Sequence, residues 1–302
     1  MLRIIVLGAA AGGGVPQWNC GCAVCSAARN EQPELRSTQA SVAVSADGEH
    51  WFLINASPDI RQQITDTPSL HPKGGKLRHS PIAGVILTNG EVDAVAGLLS
   101  LREGWPFEIH AHERVLSILK SNSIFNVLNP ELVKRIPIEA GAAFEPKLPD
   151  GSPSGLEIEA FEAPGKAAWY LEGIADEQPG DTLGLVVRSK ADGDSFVFLA
   201  ACSMVTPDVA ARLRNAPLVF FDGTLWRDDE MIAQGLSRKT GQRMGHIAME
   251  AAIPALSDSG IGRKVFLHIN NSNPALLPGS PEREAAEAAG WLIPSDGMEI
   301  KQ

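Results

Sequence analysis

Three cysteines near the start of the chain, Cys20, Cys22 and Cys25, stand within six residues of one another. Thiolates this close either bind a soft or borderline metal ion or become oxidised. The chain has four cysteines in all, and in a reducing compartment such crowding indicates a metal site rather than a disulfide framework. One more ligand would complete a tetrahedral zinc site. Because the three thiolates share one loop, we expect this zinc to be structural.

Length and composition limit the classes of protein to which the chain can belong. Its 302 residues are 44% hydrophobic, enough for a sizeable core, and we expect one domain over residues 1–302. No run approaches the roughly 20 apolar residues of a membrane span. The first apolar run ends at Gly8, too early for a secretory signal, so we expect a cytoplasmic protein with no membrane partner. The net charge of −10 argues against nucleic acid as a partner.

The first third of the chain alternates between strand-like runs and loops. Residues 3–8 are rich in β-branched side chains and precede three glycines, which predicts a strand followed by a flexible loop. Asp47-Gly48 separates two strand-like runs at 41–46 and 51–55, a strong hairpin signal. The next segments predict a strand at 82–87, a loop at 88–92 and a helix at 94–101.

The second half continues this alternation. Pro, Gly and Ala accumulate at 142–155 and 163–184, which predicts loops there. The remaining runs predict strands at 183–188, 195–200, 218–221 and 264–268, and helices at 207–214 and 249–256. Strand pairs early and late, with helices between them, predict two mixed sheets packed face to face with helices on both outer faces, an αββα sandwich.

A second group of candidate ligands lies at residues 88–94, between a predicted strand and a predicted helix. The segment resembles the Thr-His-x-His-x-Asp-His motif of metallo-β-lactamase-fold hydrolases. Asn89, Glu91 and Ala94 stand at the three histidine positions, and only Asp93 is kept. The resemblance implies the sandwich fold, whereas the missing imidazoles argue against the two-zinc centre of those hydrolases.

Glu91 and Asp93 lie two residues apart on this loop, so both carboxylates can turn toward one ion. An oxygen-rich site with a histidine and open positions favours iron(II) or manganese over zinc. Without the resemblance, the same residues are consistent with a solvated acidic loop in which Asp93 caps the following helix.

His268, at the end of a predicted strand, is the strongest candidate for a nitrogen ligand. The resemblance implies a metal ligand at this position, either for the carboxylate site or as the fourth ligand of the cysteine zinc. A related phosphodiesterase of phosphonate breakdown has the same cysteine loop and a His-x-x-His, with its first histidine in the active site and its second on zinc. The second position here is Asn271, a poor zinc ligand. Both assignments stay open.

His246 and Asp222 are further candidates for catalytic residues. The resemblance extends to phosphodiesterases of transfer-RNA processing, which keep a catalytic histidine at the position of His246, and this implies proton transfer. The alternative is a histidine that only hydrogen bonds near the start of a helix. Asp222 directly follows a predicted strand, where these sandwiches hold site carboxylates, or it caps the turn before Gly223.

Several blocks of sequence occur in the order and spacing of the B proteins of pyrroloquinoline quinone biosynthesis. They are LGAAAGGG at 7–14, PQWNC at 16–20, FDGTLW at 221–226, RMGH at 243–246, HINN at 268–271 and DGME at 296–299. The chain is similar to that family over essentially its whole length. The resemblance implies an iron-dependent hydroxylase that uses dioxygen on the tyrosine ring of a cross-linked Glu-Tyr diamino acid, alongside other proteins of the pathway.

The resemblance leaves two other functions open. One is a carrier that moves or releases the finished quinone without turnover, and the other is a degenerate hydrolase kept as a scaffold. Because the substrate implied for the enzyme carries carboxylates, Arg61, Lys239 and Arg243 are candidates for orienting it. A homodimer is a further expectation.

Overall fold

Fourteen strands form two mixed sheets within residues 1–174 and 176–302, which the computed structural model describes. In chain order the strands are β1 (Arg3–Gly8), β2 (Ser41–Ser45), β3 (Trp51–Ile54), β4 (Ile82–Ile86), β5 (Phe107–Ala111), β6 (Val133–Pro137), β7 (Ala143–Phe144), β8 (Leu156–Glu162), β9 (Leu183–Ser189), β10 (Ser195–Leu199), β11 (Leu218–Asp222), β12 (Arg263–Leu267), β13 (Trp291–Leu292) and β14 (Glu299–Lys301). The first sheet has the order β14-β1-β2-β3-β4-β5-β6, and the second has the order β13-β12-β11-β10-β9-β8-β7.

Helices cover the outer face of each sheet. In chain order they are α1 (Ala23–Asn30), α2 (Ile60–Asp66), α3 (Val92–Val95), α4 (Glu113–Ser121), α5 (Pro207–Leu213), α6 (Glu230–Ala233), α7 (Met249–Ala255) and α8 (Pro281–Ala288). In the part of the chain that the structure describes, no helix has both the length and the hydrophobicity that a membrane crossing requires.

The side chains of β10 illustrate how one strand serves two hydrophobic cores. Phe196 and Phe198 lie in the core between the sheets, while Val197 and Leu199 pack against the helices outside the second sheet. A third core lies between the first sheet and α2, α3 and α4. A strand buried on both faces is a continuous apolar run rather than a polar–apolar alternation. The predicted αββα sandwich is confirmed.

The direction of the strands determines where polar segments can meet. The hairpin predicted around Asp47-Gly48 is confirmed, because β2 and β3 pair antiparallel. From β3 to β6 the first sheet is parallel, and from β10 to β13 the second sheet is parallel. Parallel strands end at the same edge of their sheet, and ligand sites of such sheets lie beyond those carboxyl ends. The segments after β4, β11 and β12 are therefore the structural candidates for a site.

The structure differs from the sequence prediction at several elements. The helix predicted at 94–101 is instead the end of α3 followed by a 3-10 turn at Ala96–Leu101. At this turn Gly97 packs directly on the backbone, where a Cβ atom would lie 2.1 Å from the oxygen of Ser57. The loop predicted at 142–155 contains β7, and β5, β6 and β8 were not predicted as strands. Residue 175, within the loop predicted at 163–184, lies outside the described residues.

His110 on β5 is a buried titratable group of this fold. Its ring stacks on Phe144 of the other sheet, its Nε2 atom lies 3.1 Å from Glu108, and burial lowers its pKa despite that carboxylate.

We predict that the free energy of unfolding falls as the pH drops below the ordinary histidine range, because the unfolded chain then binds a proton at His110 that the folded chain excludes. His110→Gln should weaken this pH dependence in denaturant titrations at pH 5.5 and 7.5. Equal pH dependence in the two proteins would contradict the prediction.

Candidate active site and cysteine cluster

Four side chains converge beyond the carboxyl ends of β4, β11 and β12. His268 follows β12, and its Nε2 atom lies 2.9 Å from Oδ2 of Asp93, which comes from the segment after β4. Asp222 ends β11, and its Oδ2 atom lies 2.7 Å from Nδ1 of His246. The two imidazole rings are stacked, with their centroids 5.1 Å apart. The candidates named from the sequence, Asp93, Asp222, His246 and His268, are thus in one place.

Thr224 connects these groups and was not singled out from the sequence. Its hydroxyl lies 2.7 Å from Oδ1 of Asp222, 3.0 Å from Nδ1 of His246 and 2.9 Å from Nδ1 of His268. The hydroxyl has one proton to donate and can accept from an imidazole N–H, so it fixes the orientation of both rings. The sequence signal that could have identified Thr224 is its position two residues after Asp222, just beyond the end of a predicted strand.

Burial and ion pairing act in opposite directions at Asp93 and His268. Burial raises the pKa of Asp93, but the hydrogen bond and positive charge of His268 outweigh it and leave the pKa below its ordinary value. Burial lowers the pKa of His268, but the contact with Asp93 outweighs it and leaves that pKa above its ordinary value. The carboxylate and the protonated imidazole thus stabilise each other's charge. A metal cation could take the place of the imidazole proton and be stabilised by the same carboxylate.

Three side chains, Asp222, His246 and His268, offer donor atoms that lie close enough together to share one metal ion. One ligand atom each from Asp222, His246 and His268 lie within 4.8 Å of one another, and Asp93 offers a further oxygen beside His268. Two imidazoles with a carboxylate are a donor set of non-haem iron(II) sites. Asp222 is fully buried and also accepts a hydrogen bond from the backbone N–H of Cys202 at 2.9 Å, so its carboxylate is fixed.

The hydrogen-bond partners of Glu91 lie outside the group of side chains around His268. Its Oε1 atom lies 2.6 Å from Nζ of Lys166 and accepts a hydrogen bond of 2.9 Å from the backbone N–H of Trp169. The hydroxyl of Tyr170 donates to the carbonyl of Gly90 at 2.6 Å, so residues 166–170 are held against the motif segment at several points. A metal-ligand role for Glu91 stays a prediction that these contacts do not favour.

The other two altered positions of the motif have structural roles. Asn89 lies at the cavity, and its side-chain oxygen accepts from the backbone N–H of Glu91 at 2.9 Å. Ala94 belongs to α3 and is buried in the core between the first sheet and its helices. Of the residues of the motif segment, Asp93 has the hydrogen bond to His268.

A cavity of about 800 Å³ opens over these groups. Its walls include the polar residues Asp93, His246 and His268 and the apolar residues Trp169, Met231 and Met244. Volumes of roughly 300 to 1,000 Å³ are typical of small-molecule sites. Gly12 borders the cavity, and a Cβ atom there would lie 3.3 Å from Oδ2 of Asp93. Of the candidate orienting residues, Lys239 lines the cavity, whereas Arg61 and Arg243 do not.

The cysteine cluster lies on the other side of the segment that carries His268. The sulfurs of Cys20, Cys22 and Cys25 lie within 4.8 Å of one another. Asn271 points its side-chain amide at them, with Nδ2 3.1 Å from Cys20 and 3.3 Å from Cys25. The two ends of a carboxamide are interchangeable by a flip, so its oxygen can occupy the same position. The structure thus has Asn271 beside the cysteines and His268 beside Asp93.

The thiols of the cluster differ in their acidity. Burial, together with the adjoining sulfurs, raises the pKa of Cys22 to about 11. Burial also acts on Cys20, but hydrogen bonds from Cys22 and Asn271 lower its pKa overall. A metal ion that binds all three sulfurs has to displace the proton of Cys22, and zinc with three sulfurs and one further ligand is a set in which the thiols are bound as thiolates.

Comparison with known proteins identifies the family. Residues 50–269 match the family described as the beta-lactamase superfamily domain. Coenzyme PQQ synthesis protein B of Rhodopseudomonas palustris strain BisB5 is 67% identical to the chain, over 99% of both proteins. The protein of the same name from Bradyrhizobium diazoefficiens is 64% identical, again over 99% of both. The chain belongs to the coenzyme PQQ synthesis protein B family. The resemblance seen in the sequence blocks is confirmed.

Solved structures agree with this family and its fold. Zinc-bound PqqB from Methylobacterium extorquens is 45% identical to the chain and superposes with a TM-score of 0.93, covering 99% of this chain and 100% of that one. A diphosphatase of the PhnP family, 20% identical, superposes with a TM-score of 0.72 over 100% of this chain and 98% of that one, and so shares the fold. The chain is therefore a PqqB-family protein with the metallo-β-lactamase fold.

The cysteine cluster generates a prediction about stability. Cys22→Ser removes one of three sulfurs from the proposed zinc site, so we expect zinc content and thermal stability to fall together, the latter by roughly 5 °C or more. Cys202→Ser is the matched control, because this buried thiol lies outside the cluster. Metal analysis and thermal unfolding check both variants. A Cys22→Ser protein that keeps its zinc and its melting temperature would exclude the structural role.

Thr224 generates a prediction about metal affinity. Thr224→Val keeps the shape of the side chain and removes the hydroxyl that orients both imidazoles, so we expect affinity for a divalent ion at this site to fall by about 10- to 100-fold. Thr224→Ser keeps the hydroxyl and should restore most of that affinity. Isothermal titration with cobalt(II), after the cysteine cluster has been filled with zinc, measures both. Equal affinity of the valine and serine variants would contradict the orienting role.

Proposed function

We propose that the chain is a non-haem iron-dependent hydroxylase of pyrroloquinoline quinone biosynthesis, acting on the tyrosine ring of a Glu-Tyr-derived diamino acid. The observation that carries the proposal is the group formed by Asp222, His246 and His268, with Asp93 2.9 Å from His268. The names of relatives up to 67% identical over nearly the whole chain support the pathway. The donor types support iron(II), because a mixed imidazole and carboxylate set leaves positions open for dioxygen and a phenolic oxygen.

The residues of the chain have separate roles in this proposal. Iron(II), when bound, supplies the activation of dioxygen. His268, His246 and Asp222 hold the ion, Asp93 adds an oxygen donor, and Thr224 keeps the rings in place. The proton-transfer role suggested by the sequence for His246 is an alternative to its ligand role. It is consistent with the contact between Nδ1 and Asp222, which would orient the ring as a base.

The lining of the cavity suits an aromatic substrate. Trp169, Met231 and Met244 provide apolar surface, against which a ring is held by dispersion and by contact with the indole. Lys166 and the backbone of Trp169 anchor Glu91, which keeps this wall close to Asp93. In this proposal the ring binds in the cavity that Asp93, His268 and Trp169 all line.

We further propose that the three cysteines and the Oδ1 atom of Asn271 bind a structural zinc ion. The amide already lies 3.1 Å from the sulfur of Cys20 and 3.3 Å from that of Cys25. Zinc in such a closed four-ligand set has no position for a substrate, so its role is to hold the loop. The zinc-bound relative 45% identical to the chain is consistent with metal binding in this family.

The experiment that tests the hydroxylase is iron loading under anaerobic conditions, followed by oxygen uptake with a tyrosine-derived catechol and identification of the product. Hydroxylation that requires iron, oxygen and substrate together would support the proposal. Binding of the finished quinone without any oxygen uptake would identify a carrier instead. An iron-loaded protein that neither consumes oxygen nor binds the quinone would indicate the scaffold function.

Variants of the motif segment test the ligand assignment. Asp93→Ala removes an oxygen donor beside His268, so we expect iron-dependent oxygen uptake to fall by more than about 100-fold, beyond the loss typical of outer-shell partners, while zinc in the cysteine cluster is unchanged. Glu91→Gln is the matched control, because its carboxylate contacts Lys166 and Trp169 instead, and it should keep its iron. Unchanged uptake in the Asp93 variant would contradict the assignment, and loss of iron from the Glu91 variant would make Glu91 a ligand.

A further inference from the structure

The charges on the cavity wall are unevenly distributed. The metal-binding end carries carboxylates, of which Asp93 is paired with His268. Three cationic side chains also line the cavity, namely Lys166, Arg238 and Lys239. Lys166 is paired with Glu91 at 2.6 Å. Arg238 and Lys239 come from consecutive positions of the segment after α6, so they form a distinct basic patch at the cavity.

The partners of these two cations differ. Among the described residues, the guanidinium of Arg238 has neither a hydrogen bond nor an ion pair to a side chain, and it is exposed to solvent. Lys239 donates to Oε2 of Glu172, and the other carboxylate oxygen of Glu172 lies 3.3 Å from Arg243. A carboxylate therefore already binds at this basic patch, and it comes from the segment that also carries Trp169 into the cavity.

We propose that Arg238 and Lys239 form the subsite that binds a carboxylate of the substrate, and that Glu172 competes with that carboxylate for Lys239. A planar guanidinium beside an ammonium group suits a carboxylate, with the fork of the arginine taking both oxygens. The ligand class is an aromatic amino acid or a larger aromatic acid. Its ring oxygens face Asp93 and His268, and its carboxylate faces the basic patch.

This proposal rests on the proposed aromatic substrate but not on the chemistry performed at the metal. Trp169, Met231 and Met244 line the same cavity and provide apolar surface for the ring of such a substrate. Exposed ion pairs contribute little, so displacing Glu172 from Lys239 is a small cost for an incoming carboxylate. The free guanidinium of Arg238 provides the additional attraction.

Two catechols that differ in a single carboxylate test the subsite. 3,4-Dihydroxyphenylalanine and dopamine are titrated calorimetrically against the zinc-containing protein, without iron and without oxygen. We expect Arg238→Gln and Lys239→Gln each to weaken binding of dihydroxyphenylalanine by about tenfold, the loss of one charge-assisted hydrogen bond, and to leave dopamine binding unchanged or stronger. Glu172→Gln should strengthen binding of dihydroxyphenylalanine severalfold, because it removes the competing charge.

Arg61→Gln is the matched control, because Arg61 is an exposed arginine on α2 outside the cavity; it should not change the binding of either catechol. A double variant of Arg238 and Lys239 that keeps the unmodified protein's preference for dihydroxyphenylalanine would overturn the proposal. Absence of any such preference in the unmodified protein would overturn it as well. Since iron and oxygen are left out, a failure of the proposed hydroxylation leaves this result standing, and the reverse also holds.

Discussion

The backbone that leaves β12 has to serve two groups of ligands at once, because His268 and Asn271 are three residues apart. His268 adopts a left-handed conformation with φ of 60°, which few residues other than glycine adopt. Backbone hydrogen bonds hold it there: Ile269 donates to Ala9 at 2.8 Å and Asn270 donates to Thr224 at 2.9 Å. The turn sends the imidazole to one side and the amide of Asn271 to the other.

Buried polar groups reinforce this segment. Glu230, almost fully buried, accepts hydrogen bonds of 2.6 Å from Ser272 and 2.7 Å from the backbone of Trp226, and burial raises its pKa. Asn270 in turn donates to Ser272 at 2.6 Å. A network in which each buried group has a partner makes a unique arrangement more favourable than its alternatives. Displacing Asn271 would therefore act on the same segment that carries His268, so the zinc ion proposed beside the cysteines would also help to position the imidazole of His268.

Local patterns were sufficient for much of the fold, and long-range contacts account for most of what they missed. The hairpin at Asp47-Gly48 and the doubly buried strand β10 follow from short stretches of sequence. The strand β8 was missed although its apolar residues alternate with glutamates, a half-buried pattern that lies between two segments rich in Pro, Gly and Ala. At the site, strand ends predicted Asp222 and His268. The partner of Glu91 is Lys166, 75 residues away, and no spacing rule reaches that far. The sequence likewise could not show whether His268 faces the cysteines or Asp93, because its direction depends on the backbone turn at His268 itself.

The altered motif determines which part of the chain provides the candidate ligands. In the hydrolases that the fold resembles, the segment after the fourth strand supplies three imidazoles, whereas here it supplies Asp93. Ala94 fills a core position and Glu91 anchors the wall that carries Lys166 and Trp169. The remaining candidate donors come from the second half of the chain, through Asp222 at the end of β11, His246 in a loop and His268 after β12. The motif segment of this chain thus lacks the imidazoles with which those hydrolases hold two zinc ions. In the proposed site with one iron ion, the cavity beside the ligands would be available to the substrate and dioxygen.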